Sequence, residues 1–253
     1  MQAKPMVVLV HGAWSDGSSW TRVIPLLQAS GHRVIAVQLD LAGLAEDVAI
    51  TRAVLAAHDS PIVLVGHAYG GAVISGAWID APRVISLVYV AAFAPDAGES
   101  LGDAVAGFPA APGNASLIPD DRAGYLRIDP AAYPQVYMQD VHPVEARTLA
   151  VTQKPLAATI FGTTAGKPAW RQVPSWYVVS EDDRMINPDA ERAMAARMGA
   201  ITTTVQGSSH ASPVSRPVEV ARVILAAALG GEHRRAMRNT TGDPAAHDTD
   251  THG

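Results

Sequence analysis

Cysteine is absent from the 253-residue chain, and lysine occurs at only three positions. Without cysteine the protein has no disulfide bond, no thiolate metal ligand and no cysteine nucleophile. The net charge is −5, and no basic stretch lies among the apolar runs that predict the core. Basic patches are the usual mark of nucleic-acid binding, so no nucleic-acid partner is expected.

Long apolar runs are absent as well. No run reaches the roughly 18 residues that a membrane-spanning helix requires, so no membrane partner is expected. The first residues, MQAKPMVVLVHG, enter an apolar stretch at once and lack the layout of a signal peptide. We therefore predict a cytoplasmic location.

Apolar runs of moderate length organise the chain, which is 48% hydrophobic and long enough for one sizeable core. The first four of the predicted strands are continuous rather than alternating runs, which is typical of strands covered on both faces. The predicted strands are 6–10, 33–39, 61–65, 86–93, 175–179 and 201–205. Helical spacing and helix-end signals predict helices over 18–30, 44–58, 72–80, 189–198 and 217–229.

Strands that alternate with helices predict an α/β fold with a mostly parallel, doubly wound sheet. The alternation stops at residues 94–168, which hold many prolines and glycines and no clear strand. This stretch is too long for a plain loop. We interpret it as a mainly helical cap inserted over one end of the sheet, with short helices near 131–138 and 142–150, and call it the cap segment.

The rest of the chain is predicted to form a core and a tail. The core comprises residues 1–93 and 169–230. Residues 231–253 are polar and charged, and they predict a disordered tail. The histidines of this tail are too scattered to indicate a metal site, and no metal or other cofactor is predicted.

The stretch VGHAYGG, residues 65–71, follows the third predicted strand and precedes a predicted helix. Glycines stand two residues before and two residues after its centre, which is the layout of a nucleophile elbow, G-x-S-x-G. The central residue here is Ala68, whose methyl group cannot attack a carbonyl carbon. The sequence therefore poses the question of what an elbow without its serine does.

Other predicted strands also end in residues suited to chemistry. The first ends at HGAW, residues 11–14, the fifth at EDDR, residues 181–184, and the last is followed by GSSH, residues 207–210. Ligands of open α/β sheets bind beyond the carboxyl ends of the strands, so these residues are expected to meet. Their order, elbow then acid then histidine, is that of the α/β hydrolases.

Acyl transfer gives each of these elements a role. A serine needs a base such as histidine to take its proton and return it to the leaving group. A buried carboxylate orients that histidine, and the backbone N–H groups of Ala13 and Tyr69 would stabilise the oxyanion. Two further histidines, His11 and His67, are predicted to be structural and to bond neighbouring loops.

Long segments of the chain carry a family resemblance, and they extend from residue 6 to about residue 228. They are VVLVHGAWSDGSSW, VGHAYGG, AAFAPDAGESL, PAWRQVPSWYVVSEDDRMINPDAERAMAARMGA and GSSHASPVSRPVEVA. The sequence resembles the α/β-hydrolase superfamily, in its branch of small cofactor-free bacterial esterases. That branch includes carboxylesterases of pyrethroid-type esters, plant methylesterases and hydroxynitrile lyases. The cap segment matches less well.

The resemblance implies a catalytic role for three positions. Ala68 occupies the nucleophile position, His210 is the base, and Asp183, which directly precedes an arginine, is the acid. Asp182 is the fallback for the acid, because the run Glu-Asp-Asp makes a shift of one residue easy. Asp96 is a weaker alternative, since some hydrolases take their acid after the fourth predicted strand.

The resemblance also implies the surroundings of the site. Ala13 and Tyr69 inherit the oxyanion-hole role through their backbones, and Trp14 and Tyr69 form part of the substrate-binding wall. The cap segment is expected to close a largely apolar pocket, with Tyr125, Tyr133 and Tyr137 as candidate wall residues. The partner implied is a small apolar ester, and members of this branch commonly form homodimers.

Two departures from the family pattern matter. Hydroxynitrile lyases of this branch carry a threonine and a lysine where this chain has Gly12 and Ala211, which argues against cyanohydrin cleavage. The other departure is Ala68. The simplest hypothesis is a Ser→Ala change in an otherwise ordinary carboxylesterase. The rival is a naturally serine-free protein, which either binds a ligand or acts as a lyase, decarboxylase or cyclase with His210 as acid and base.

Overall fold

A six-stranded, fully parallel sheet forms the centre of the protein, in the strand order β2-β1-β3-β4-β8-β9. The computed structural model describes residues 4–78 and 83–241, with the backbone alone for 235–241. The strands of this sheet are β1 (Met6–Val10), β2 (Val34–Val37), β3 (Ile62–His67), β4 (Val84–Val90), β8 (Ser175–Ser180) and β9 (Ile201–Val205). All six predicted strands are thus confirmed, within a few residues at their ends.

The central strands are buried on both faces, as their continuous apolar runs predicted. In β1 the side chains of Val8 and Val10 point into one hydrophobic cluster, and those of Val7 and Leu9 point into the other. Successive side chains of a strand alternate between the two faces, so an unbroken apolar run supplies both clusters. This arrangement lets β1, β3 and β4 lie at the centre of the fold.

Helices cover both faces of the sheet. One cluster contains side chains of α1 (Ile24–Ala29) and α9 (Pro217–Thr241), and the other contains side chains of α2 (Leu44–Ala56), α3 (Gly70–Ala77) and α7 (Pro188–Arg197). A short helix, α8 (Ser212–Ser215), precedes α9. None of the helices in the described ranges is both long and apolar enough to cross a membrane.

The cap segment contains a small sheet that the sequence analysis did not predict. Its antiparallel strands are β5 (Leu117–Pro119), β6 (Tyr125–Ile128) and β7 (Leu156–Ala157). Strands of two to four residues are too short to show an alternation. The helices of the segment are α4 (Leu101–Val105), α5 (Tyr133–Val136) and α6 (Pro143–Thr152), with 3-10 turns at Pro112–Ser116 and Ala158–Gly162.

Two helix predictions were wrong in extent. The helix expected over 18–30 is a 3-10 turn at Gly17–Trp20 followed by α1, which begins next to Pro25. The last helix was expected to end at 229, with a disordered tail from 231. Instead α9 continues to Thr241, because residues 230–241 contain no proline to stop it. The rest of the predicted tail, like Ile79 and Asp80 of the third predicted helix, lies outside the described residues.

Candidate active site

The elbow between β3 and α3 has the strained backbone that a nucleophile position requires. Ala68 has a φ of +51°, a left-handed conformation that alanine rarely adopts. Packing is so tight at positions 66 and 71, on either side of Ala68, that only glycine fits there. A Cβ on Gly66 would lie 2.5 Å from the Gly70 carbonyl oxygen, and one on Gly71 would lie 2.3 Å from the Phe93 carbonyl oxygen. These glycines therefore permit the sharp turn that projects residue 68.

Hydrogen bonds hold the elbow in this conformation. The Ala68 N–H donates to the Val90 carbonyl (3.1 Å), and the Ala68 carbonyl accepts from the N–H groups of Gly71 (3.1 Å) and Phe93 (3.0 Å). Bonds to β4 and to the residues beyond it stabilise a conformation that costs about 1–2 kcal/mol in isolation. The strain is thus built into the fold around residue 68.

His210 and Asp183 form a buried pair beside the elbow. The Nδ1 of His210 lies 2.5 Å from Oδ2 of Asp183, and both side chains are at most 2% exposed. The other carboxylate oxygen accepts the N–H groups of Met185 (2.6 Å) and Ile186 (2.9 Å). This carboxylate is positioned to hold Nδ1 as the protonated nitrogen, which leaves Nε2 as the base.

The two alternative acids do not contact His210. Asp182 is exposed and meets the His210 loop only through its backbone N–H, which donates to the Ser208 carbonyl (3.0 Å). Asp96 accepts from Nε of Arg171 (3.0 Å) in a surface pair. Of the three candidate acids, Asp183 is the one whose carboxylate is hydrogen-bonded to His210 in the described part of the chain.

His67 and His11 have structural roles, as predicted. The Nε2 of His67 donates to the His210 carbonyl (2.8 Å), so this side chain supports the loop that carries His210. His11 donates from Nδ1 to the Gly12 carbonyl (2.8 Å) and accepts the Leu39 N–H at Nε2 (2.9 Å). Burial lowers the pKa of His67 to about 3 and that of His11 to about 4.

Two residues beside the elbow, Ala13 and Tyr69, have backbone N–H groups that lack a backbone acceptor in the described part of the chain. Ala13 follows β1, and Tyr69 precedes α3, where the positive end of the helix dipole lies. Among the described residues, no backbone carbonyl accepts a hydrogen bond from either N–H. Both are therefore available to an oxyanion.

An apolar cavity of about 270 Å³ joins these elements. Its wall contains Ala13, Trp14, Ala68, Tyr69 and His210, the candidate site residues apart from Asp183, which lies behind the imidazole. The other lining residues are Phe93, Leu101, Gly102, Val105, Pro109, Ala110, Ala111, Asn114, Leu117, Leu126, Leu156, Phe161, Met185, Ile186 and Asn187. Among the described residues, no lining side chain carries a fixed charge.

The match to known proteins decides the family. The sequence model of the alpha/beta hydrolase family matches residues 7–223, most of the chain. The chain belongs to the alpha/beta hydrolase family. Ala68, Asp183 and His210 thus occupy the elbow, the turn after β8 and the loop after β9 of an alpha/beta hydrolase fold.

Two esterases illustrate the similarity in sequence. Methylesterase 8 of Arabidopsis thaliana is 27% identical over 250 residues, which cover 89% of this chain and 90% of that protein. The carbendazim hydrolyzing esterase of Nocardioides sp. (strain SG-4G) is 39% identical over 109 residues, covering 37% of this chain and 44% of that protein. These relatives are named as esterases, which supports ester hydrolysis as the general chemistry of this alpha/beta hydrolase.

Solved structures share the fold. The pyrethroid hydrolase of Sphingobium faniae JZ-2 superposes with a TM-score of 0.74 at 23% identity, over 88% of this chain and 97% of that one. Tomato methylketone synthase I, complexed with 2-tridecanone, superposes with a TM-score of 0.70 at 21% identity, over 89% and 98% of the two chains. At this level of identity the likeness shows the alpha/beta hydrolase fold alone.

The predicted wall of the hydrolase cavity needs correction. Tyr125, Tyr133 and Tyr137 were candidate wall residues, but none of them lines the cavity. Tyr69 does line the cavity. Its hydroxyl, however, donates its hydrogen bond to Oδ2 of the buried Asp47 (2.8 Å). No sequence signal marks the cap residues that supply 11 of the 20 lining residues, because their contacts arise only on folding.

Trp14 joins the cap segment to the core of the hydrolase. Its φ is +58°, its Nε1 donates to the Leu126 carbonyl of β6 (3.1 Å), and its ring lies 6.3 Å from that of Phe161. Gly12, two residues earlier, is packed against the elbow, since a Cβ there would lie 2.8 Å from that of Ala68. Any larger residue at position 12 would therefore require the packing around the elbow to shift.

Acid is expected to destabilise the protein partly through His11. Folded His11 takes up its proton near pH 4 rather than near its ordinary 6.5, because the protonated ring is buried and loses its acceptor at Nε2. The unfolded chain therefore binds more protons between these pH values, and stability falls as the pH falls. We expect His11 to remove about 3 kcal/mol of unfolding free energy between pH 6.5 and 4.

Urea unfolding of the chain and of His11→Gln at several pH values in this range measures the effect. The glutamine amide can still donate and accept, but it does not titrate. The free energy of unfolding of His11→Gln is expected to fall less steeply with acid. Parallel pH profiles for the two proteins would show that His11 does not contribute.

Proposed function

We propose that this alpha/beta hydrolase is a carboxylesterase of uncharged apolar esters, in which Ala68 stands where the nucleophilic serine acts. One observation carries the proposal. The elbow position, the imidazole of His210 and the residues with free N–H groups, Ala13 and Tyr69, all line one apolar cavity. Each group that acyl transfer needs is therefore present except the attacking oxygen.

The mechanism follows from this geometry once residue 68 is serine. Nε2 of His210 takes the hydroxyl proton while the oxygen attacks the ester carbonyl carbon. The N–H groups of Ala13 and Tyr69 bind the oxyanion, and Asp183 stabilises the imidazolium. His210 then gives the proton to the leaving alcohol, and water, activated by the same imidazole, releases the acid from the acyl-enzyme. With alanine at 68, an ester can bind but cannot be cleaved by this route.

The substrate class rests on the cavity wall. In the part of the chain that the structure describes, neither a lysine nor an arginine lines the cavity, so a carboxylate inside it would have no fixed positive partner there. Burying an unpaired charge is costly, whereas an apolar ester loses little on leaving water. Relatives that are named methylesterase and carbendazim hydrolyzing esterase also support an ester substrate.

A serine-free activity is the second candidate, and Ala68 itself is the observation that favours it. The His210–Asp183 pair could act as a plain acid and base on a bound ligand, or the cavity could only bind one. Tomato methylketone synthase I shares the fold and holds 2-tridecanone, an apolar ketone. The strained φ of Ala68 supports the first candidate instead, because strain at residue 68 serves the projection of a nucleophile.

Titration of the unaltered chain with matched ligands tests the cavity. We expect an alkyl ester such as ethyl hexanoate to bind at least tenfold more tightly than octanoate, a carboxylate with the same number of carbon atoms, because the cavity lacks a cation. Isothermal titration calorimetry measures both, and chromatography afterwards confirms that the ester is intact.

A variant that fills the cavity controls for binding elsewhere. Leu117→Trp places a larger side chain at the cavity wall and is expected to abolish ester binding. Equal or tighter binding of the carboxylate, or binding unchanged by Leu117→Trp, would contradict the proposed substrate class.

A further inference from the structure

Tyr137 is a fully buried residue of the cap segment that touches the catalytic groups without lining the cavity. It is 1% exposed and directly follows α5. The ring of Tyr133 stacks against it, with centroids 4.8 Å apart and an interplanar angle of 14°. This packing leaves the Tyr137 side chain no freedom to swing into the substrate space.

Its contacts reach both halves of the catalytic machinery. The ring meets the imidazole of His210 at an angle of 75°, with centroids 4.9 Å apart. The hydroxyl donates to the carbonyl of Ala13 (3.4 Å), and the Tyr137 carbonyl accepts the N–H of Ala211 (3.2 Å). The Tyr137 side chain therefore lies between the imidazole of His210 and the loop that contains Ala13.

Each contact restricts a geometry that catalysis needs. The carbonyl of Ala13 belongs to the peptide that leads into Trp14, whose φ is +58°. A hydrogen bond to that carbonyl restrains the Ala13–Trp14 peptide, which directly follows the peptide that carries the Ala13 N–H, and so helps to hold this loop in place. The edge-to-face contact is favourable for aromatic rings and restricts tilting of the imidazole. Burial raises the pKa of the Tyr137 hydroxyl, so this group remains a neutral donor.

Residues next to Tyr137 also contact the loops that carry Ala13, Asp183 and His210, which we call the catalytic loops. Nε2 of Gln139 donates to the carbonyl of Asp182 (2.6 Å), in the turn that carries the catalytic acid. The carboxylate of Asp140 accepts the N–H of Ser209 (3.2 Å), beside His210. Residues 137–140 thus contact the acid turn, the histidine loop and the oxyanion loop.

We propose that Tyr137 is a positioning residue that couples the orientation of the His210 imidazole to that of the Ala13 oxyanion loop. It acts through these two residues and does not contact the reacting atoms. The inference rests on the proposed esterase function for its kinetic consequence, but the coupling itself is a property of the folded chain.

Kinetics in the Ala68→Ser background separate the two contacts. Tyr137→Phe removes only the hydroxyl and is expected to lower kcat about tenfold, with KM within twofold. Tyr137→Leu also removes the ring and is expected to lower kcat about a hundredfold. The matched control Tyr125→Phe, another tyrosine of the cap segment outside the cavity wall, is expected to keep kcat within twofold. If both Tyr137 variants fold and keep kcat within twofold, the inference is overturned.

Nuclear magnetic resonance of the same Tyr137 variants, made in the chain that keeps Ala68, supplies a readout that needs no turnover. Tyr137→Leu is expected to shift the imidazole ¹⁵N resonances of His210, and Tyr137→Phe to shift the carbonyl ¹³C resonance of Ala13. If Ala68→Ser is inactive, the esterase proposal fails while these resonances still decide the role of Tyr137. Resonances that stay at their original positions in both variants overturn the positioning role.

Discussion

Under the proposed function, Ala68→Ser is expected to raise kcat for ester hydrolysis by roughly 10⁴-fold or more. The serine Cβ takes the place of the alanine methyl group on a backbone that already has the left-handed conformation. The added hydroxyl then faces the cavity that His210 also lines. A series of p-nitrophenyl esters of increasing chain length at neutral pH measures the gain, and a burst of p-nitrophenol indicates an acyl-enzyme.

Two controls isolate the elbow. Ala110→Ser adds a hydroxyl to the same cavity wall but away from the elbow, and it is expected to remain inert. The double variant Ala68→Ser, His210→Ala retains the hydroxyl without its base and is expected to lose most of the gain. A folded Ala68→Ser that binds the esters without turnover would contradict the esterase proposal and favour binding or non-hydrolytic chemistry.

Asp183→Asn in the Ala68→Ser background is expected to lower kcat by about 10⁴-fold, because the amide favours the wrong tautomer of the imidazole. Asp182→Asn is expected to change kcat by less than threefold, since Asp182 is exposed and meets the histidine loop through its backbone alone. Burst and steady-state kinetics of the two variants with one p-nitrophenyl ester give the comparison.

The pair of adjacent substitutions controls for general damage to the turn. The amide that Asp183→Asn introduces would still present an oxygen to the Met185 and Ile186 N–H groups, and circular dichroism verifies that both variants fold. A larger loss with Asp182→Asn than with Asp183→Asn would show that the acid is assigned to the wrong residue of the run.

The centre of the sheet could be predicted from the sequence because its central strands are buried on both faces. A run such as residues 6–10 has no polar position, and covered parallel strands require this. The same pattern predicted that the acidic run 181–183 and His210 would meet, since parallel strands bring their carboxyl ends to one edge of the sheet. Asp183 and His210 lie far apart in sequence, yet each follows a strand of that sheet.

The cap segment could not be predicted to the same depth, because long-range packing decides it. The strand β7 has two residues, and its partner β6 lies about thirty residues earlier in the chain. Whether Tyr137 faces the cavity or the back of His210 depends on its stacking with Tyr133, and residue spacing does not determine this. The prediction that the three cap tyrosines line the wall was wrong for this reason.

Different stretches of the cap segment line the cavity and contact the catalytic loops, and this has a consequence for protein engineering. Every cap residue that lines the cavity falls within residues 101–126 or 156–161. The contacts to the catalytic loops come instead from residues 137–140. A library that randomises the first two stretches would search for new acyl preferences while leaving the catalytic loops supported. A chimera that imports a whole foreign cap must also import loops that fit it.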